Sequence, residues 1–251
     1  MNLLSSFSFR SRPGWDARCV TWVVFLLIAL LQGCAHVPNP DPRDPMESWN
    51  RGVYGFNDAV DRAVLKPVAT AYRGVLPQWV RSGVGNFFNN LEDVWSIVNN
   101  ALQLRGRDTG DSIGRVMVNS TVGVVGLIDV ASELNIDRHT ADFGLTLGRW
   151  GVGAGPYVVL PLLGPTTMRG VVALPVDMKG NLVNQVTDDA TRYGLVGLDL
   201  VDTRAKYLQA GSVVDEAALD QYSFIRDSYL QRQRNKVYDG NPPDEDTEPA
   251  P

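Results

Sequence analysis

The sequence predicts a mainly α-helical protein folded as a single helical domain, on three observations. Apolar residues recur at helical spacing over long stretches, helix-start and helix-stop signals bracket those stretches, and nothing reads as a series of strands joined by hairpin turns. The chain has 251 residues, of which 44% are hydrophobic, and a formal net charge of −5.

Residues 1–33 read as an export signal. Arg10, Arg12 and Arg18 outweigh Asp16, and Val20 to Leu31 is an apolar run of 12 residues. That is too short to span a bilayer but right for a signal core. Leu31-Gln32-Gly33-Cys34 follows and resembles a bacterial lipobox. The resemblance implies cleavage before Cys34 and acylation of its sulfur and amine. Ala35, where an aspartate would signal retention, implies delivery to the outer membrane. Several acyl chains anchor far more firmly than one. Residues 34–43 then form a lipidated, Pro-rich tether, 44–240 the folded domain, and 241–251 a disordered acidic tail.

Asp44-Pro45-Met46-Glu47 carries the signature of a helix start, with an N-cap Asp, Pro at the first position and an acid three residues on. Trp49, Val53, Phe56, Val60 and Ala63/Val64 form one stripe, expected to pack inward, with Asn50, Arg51, Asn57 and Asp58 on the remaining face. Lys66-Pro67 predicts the stop. A second helix opens at Pro77, with Val80, Val84, Phe87/Phe88 and Leu91 on one face and Asn86, Asn89, Asn90, Asn99 and Asn100 on an amide-rich polar face. A break is possible at Glu92-Asp93. Asp111 to Ala131 reads as helix, or as strand over Val116 to Val125. A short helix spans Leu198 to Leu208 and a longer one Asp215 to Tyr238, closed by Gly240 and Pro242-Pro243.

Between them, Trp150 to Val176 has 27 residues, one charge (Arg169) and nine glycines and prolines. So many breakers rule out a spanning helix. The stretch is either a core segment with several turns or a broken apolar element that enters a membrane or lines a lipid path.

The inventory argues against catalysis, and no metal or cofactor is expected. The histidines are His36, in the tether, and His139, in a polar loop. Cys19 leaves with the signal and Cys34 is acylated, so no zinc site, Cys–His pair or disulfide can form. Gly151-Val152-Gly153-Ala154-Gly155 ends on Pro156, without the strand-to-helix context of a dinucleotide loop. No basic cluster suggests a nucleic-acid partner. The amide-rich face either binds polar headgroups or cross-links loops.

Asp44-Pro45-x-Glu47-x-x-Asn50-Arg51 and Phe56-Asn57-Asp58 resemble the opening of the MlaA (VacJ) lipoprotein family. Phe143-Gly144-x-Thr146-Leu147-Gly148-x-x-Gly151-Val152-Gly153-x-Gly155-Pro156-Tyr157 and Leu160-Pro161 continue the likeness, which runs from Asp44 to about Gly240. It implies a ring-like helical domain in the periplasmic leaflet of the outer membrane, with an amphipathic channel for phospholipid. It further implies a non-enzymatic role: phospholipid misplaced in the outer leaflet passes to a periplasmic lipid carrier (MlaC-like), and a trimeric porin is a partner. Under this reading Tyr157, Val159, Leu160, Leu162 and Leu163 are the lipid-path or membrane-facing candidates. The alternative is a structural lipoprotein, a porin-associated adaptor with the same anchor and no lipid path. A phospholipase-like enzyme would require His139.

Overall fold

The computed structural model describes residues 41–243, except for the side chains of 213–217. The signal, Cys34, the tether up to residue 40 and the tail beyond 243 lie outside the described residues. Helix α1 (Glu47–Val60) passes through a π-helical segment (Asp61–Leu65) into α2 (Lys66–Val75). There follow α3 (Gln78–Leu102), α4 (Gly106–Thr121), the single turn α5 (Val130–Glu133) and α6 (Phe143–Arg149). A two-stranded hairpin, β1 (Tyr157–Leu160) with β2 (Gly164–Thr167), leads into α7 (Met168–Gly180). A short 3₁₀ turn (Leu182–Gln185), α8 (Asp189–Lys206), α9 (Leu208–Ala217) and α10 (Gln221–Val237) complete the chain. The fold is mainly α, as the periodicity indicates.

Several expectations are corrected. The opening helix does not stop before Pro67: it continues to Val75 through the π segment, where Lys66 N–H donates to the Asp61 carbonyl. A π turn is wider than an α turn, which makes room for a pyrrolidine ring that would otherwise strike the preceding carbonyl. Asp44 does not cap α1, which begins at Glu47 behind Met46 with no side-chain cap. There is no break at Glu92-Asp93, since α3 is continuous over 25 residues. Val116 to Val125 is not strand: α4 runs to Thr121 and a string of turns follows. Residues 41–43, expected in the tether, contact the domain: the Arg43 carbonyl accepts from Tyr157 N–H at 2.9 Å and Asp41 pairs with Arg226 at 3.2 Å.

The largest correction concerns which faces point inward. Trp49 and Phe56 are 53% and 52% exposed, whereas α1 buries Glu47, Asn50 and Val53. On α3 the buried set includes Asn90, Asp93, Ser96, Asn99 and Asn100, so the amide-rich face is the inner one. Helix α4 buries Ser112, Arg115 and Asn119, three residues at helical spacing. Their side-chain donors are bonded, while the amide oxygens of Asn90, Asn100 and Gln103 have no partner among the described residues. Asn100 Nδ2 donates to the His139 carbonyl at 3.0 Å, Gln103 Nε2 to Thr146 Oγ1 at 2.9 Å, and Thr146 Oγ1 to Asn99 Oδ1 at 2.9 Å. Asn90 Nδ2 reaches Ser120 Oγ at 3.0 Å. In a low-dielectric interior such bonds are strong and directional, and they tie α3 to α4, α6 and the loop at His139.

Candidate functional site

The Gly/Pro-rich stretch forms the hairpin, and α1 holds it through two amides. Asn50 Nδ2 donates to the Tyr157 carbonyl at 2.9 Å, and its Oδ1 accepts from Val159 N–H at 2.8 Å. Two helical turns further along, Asn57 Nδ2 donates to the Leu160 carbonyl at 3.0 Å while its Oδ1 accepts from Leu162 N–H at 2.8 Å. Asn50 thus satisfies one donor and one acceptor of β1, and Asn57 an acceptor at the end of β1 and a donor at the tip. The seven-residue spacing puts both on one side of the helix. Leu162 adopts a left-handed φ of +63° at the tip, next to Gly164 at +82°. A three-residue connection needs such a backbone.

Beneath the hairpin lies a buried hub. Asp44, fully buried, accepts from Asn50 Nδ2 at 2.8 Å and from the Tyr222 hydroxyl, with Arg226 Nη1 3.5 Å away. Val53, Tyr157, Val159 and Tyr222 form the adjoining apolar cluster, with Tyr157 edge-on to Tyr222 and to Tyr229. Burial, reinforced by the Asp44 carboxylate, pushes the Tyr157 and Tyr222 hydroxyls upward in pKa. Arg51 lies 4.4 Å over the Tyr222 ring and pairs with Glu47 at 2.7 Å and Asp220 at 2.6 Å. Of the residues drawn from the family motif, Asp44, Glu47, Asn50, Arg51 and Asn57 therefore converge on this hub and the hairpin edge. Pro45 lies in the preceding turn, and Phe56 faces outward.

The five candidate lipid-facing residues divide. Tyr157 and Val159 are 1% and 2% exposed and pack on protein, which corrects the expectation that they face lipid. Leu160 is half-buried, while Leu162 and Leu163 are both 66% exposed at the tip. Arg169, the one charge of the stretch, donates to the Val152 carbonyl at 2.9 Å and has its pKa lowered by burial.

A second exposed apolar element is the loop after α4. Val122, Val124, Val125, Leu127 and Ile128 are all more than 45% exposed, and Val124 and Val125 have φ of +53° and +57°. That backbone is unfavourable for a β-branched residue. It is enforced from below, where Gly126 N–H bonds the Asn119 carbonyl at 2.8 Å. Gly126 itself, at φ +85°, packs so closely on Asn90 that a Cβ would lie 2.8 Å from that side chain. Arg115, 3% exposed, pairs with Asp129 at 2.9 Å and lies 3.5 Å from Asp93, which Arg138 also holds at 2.7 Å. Burial raises the pKa of Asp93 against the pull of Arg138. At Asp129 burial works upward too, but hydrogen bonds from Ser132, Asn119 and Arg115 prevail and bring it to about 2.

His139 contacts Asp111 at 3.2 Å and Asp108 at 3.7 Å. No metal-binding group of side chains occurs among the described residues. Periodicity gave no sign of Asn50 and Asn57 as hairpin clips; an asparagine among the polar residues of an amphipathic helix offers no signal beyond the motif it belongs to.

The family described as MlaA lipoprotein matches residues 42–236. The Escherichia coli K12 protein named intermembrane phospholipid transport system lipoprotein MlaA is 34% identical over 209 residues, covering 81% of this chain and 82% of its own. The Haemophilus influenzae protein of the same name is 34% identical over 243 residues, covering 88% and 91%. A solved protein from work on the structural basis for maintenance of bacterial outer membrane lipid asymmetry is 33% identical, with a TM-score of 0.68, covering 79% of this chain and 99% of its own.

Proposed function

Because this chain belongs to the MlaA lipoprotein family, we propose that it is the outer-membrane component of a system that keeps phospholipid out of the outer leaflet, and that it does so without catalysis. In this reading Cys34 carries the lipid anchor and the domain lodges in the periplasmic leaflet. Phospholipid collected from the outer leaflet passes through it to a periplasmic lipid carrier, with a trimeric porin as neighbour.

One observation carries the reading: the domain buries many polar side chains and leaves many large apolar ones exposed. Apart from Tyr157 and Val159, the largest fully buried side chains are polar, among them Asn50, Asn99, Asn100, Thr146, Asp44 and Asp93. Trp49, Phe56, Val75, Trp79, Leu104, Met117, Leu162 and Leu163 are exposed. Scattered surface leucines are ordinary, but exposed apolar elements this extensive suit a nonaqueous neighbour. No helix among the described residues is long and apolar enough to cross a membrane. The arrangement suits a domain embedded to partial depth, with irregular backbone packed on protein.

The test is phospholipid on the cell surface. Deleting the gene should expose it, and the intact protein should remove it again. A deletion strain with a normal outer leaflet would sink the proposal.

A further inference from the structure

A cleft of about 290 Å³ opens where the corner between α2 and α3 meets the end of α8. Arg73, Gln78, Arg81, Ser82, Lys206 and Gln209 line it, with Asp202 and Ala205 at its floor. Elsewhere in the domain arginines hold carboxylates: Arg51 holds Asp220, Arg115 holds Asp129, Arg138 holds Asp93 and Arg204 holds Asp61. Arg73 and Arg81 reach none within 4 Å among the described residues, and Arg81 spends only its Nε, on the Leu76 carbonyl at 3.2 Å.

The cleft's one carboxylate, Asp202, is 1% exposed and already engaged. Its Oδ1 accepts from the Tyr72 hydroxyl at 2.9 Å, and its Oδ2 lies 2.7 Å from Lys206 Nζ. Burial, aided by this bond, holds the Tyr72 hydroxyl protonated with a pKa of about 12, so it stays a donor to Asp202. With Lys206 set against Asp202, the two guanidinium groups of Arg73 and Arg81 leave the cleft with an excess of positive charge on a chain whose net charge is −5. Two planar guanidinium forks with free donors match the oxygens of a phosphate, and Ser82 and the two glutamines add neutral donors. The same corner exposes Trp79 (77%) and Val75 (78%), side chains suited to the boundary between headgroups and acyl chains.

We propose that this cleft binds the phosphodiester of a phospholipid headgroup through Arg73 and Arg81, with Lys206 completing the field. The proposal rests on the lipid-transport reading and adds to it the place where a headgroup is held.

The full lipidated chain, purified in a nonionic detergent, is titrated by calorimetry with glycerophosphoglycerol, a soluble headgroup diester, and separately with inorganic phosphate. Wild type should bind the diester more tightly than phosphate. Arg73→Gln combined with Arg81→Gln should weaken diester binding about tenfold or more at unchanged helicity and melting temperature, and the paired Lys substitutions should restore part of it. Equal or tighter binding of inorganic phosphate overturns the headgroup assignment. Diester binding unaffected by the double Gln variant, or absent in wild type, overturns the site. A polyglutamate peptide preferred over the diester gives the cleft to an acidic protein and also overturns it. Clearance of surface phospholipid by wild type is scored separately, so failure of the cleft and failure of the transport reading give different results.

Discussion

Asn50 and Asn57 have the same side chain and the same partner strand but different surroundings, and that difference sets their value. Asn50 is fully buried and satisfies Asp44 as well as both groups of β1. Asn50→Ala leaves a buried carbonyl, a buried N–H and a carboxylate short of partners, and should cost about 3 kcal/mol or more in chemical denaturation. Asn57 is half-buried, and water can replace it, so Asn57→Ala should cost about 1 kcal/mol. Equal losses would contradict the burial difference. The hairpin offers a matching contrast. Val159→Asp puts an unpaired charge into the cluster with Tyr157 and Tyr222 and should prevent stable folding. Leu162→Asp, at the exposed tip, should leave a folded protein that no longer clears phospholipid. Trp49→Ala should change stability by within about 0.5 kcal/mol in aqueous detergent, as a surface substitution does. A loss of about 3–5 kcal/mol would restore the inward-facing stripe.

At the scale of elements, the sequence shows that helices carry stripes but not which stripe faces in. The reason is physical: a 3.6-residue period marks two faces, and assigning the apolar one to the interior assumes water outside. The same assumption left open whether the face of Asn90, Asn99 and Asn100 binds headgroups or cross-links loops, and did not mark it as the interior. The strands escaped notice because four residues among Gly and Pro give no alternation to read. Pro67 looked like a stop because an α turn cannot hold it, whereas a π turn can. The family motif named Asn50 and Asn57 without showing what they grip. The loop from Val122 to Ile128 provides an element-level prediction. Val124→Asn and Val125→Asn each relieve a left-handed valine and should stabilise the isolated protein by about 1 kcal/mol, while phospholipid clearance falls. Unchanged clearance would make the loop merely structural. Its anchor has a pH signature. The carboxylate of Asp129 is depressed to about 2, so its contribution is complete above the unfolded value near 4 and is lost as pH falls from about 4 towards 2. Hydrogen exchange at residues 122–132 should rise in that window, and Asp129→Asn should flatten the rise.

For the whole molecule, the central claim is that the polar network holds the domain together while the outer apolar surface meets lipid. A protein built this way should melt higher in phospholipid bilayers than in dilute detergent, because lipid binds the native surface and not the unfolded chain. The most direct measurement places photo-crosslinkers at Phe56, Leu162 and Leu163, and at buried Val183 as a control, in cells carrying the intact lipoprotein. The account predicts phospholipid adducts at the three exposed positions and none at Val183. Protein-only adducts at all three, in a correctly acylated outer-membrane protein, would contradict it.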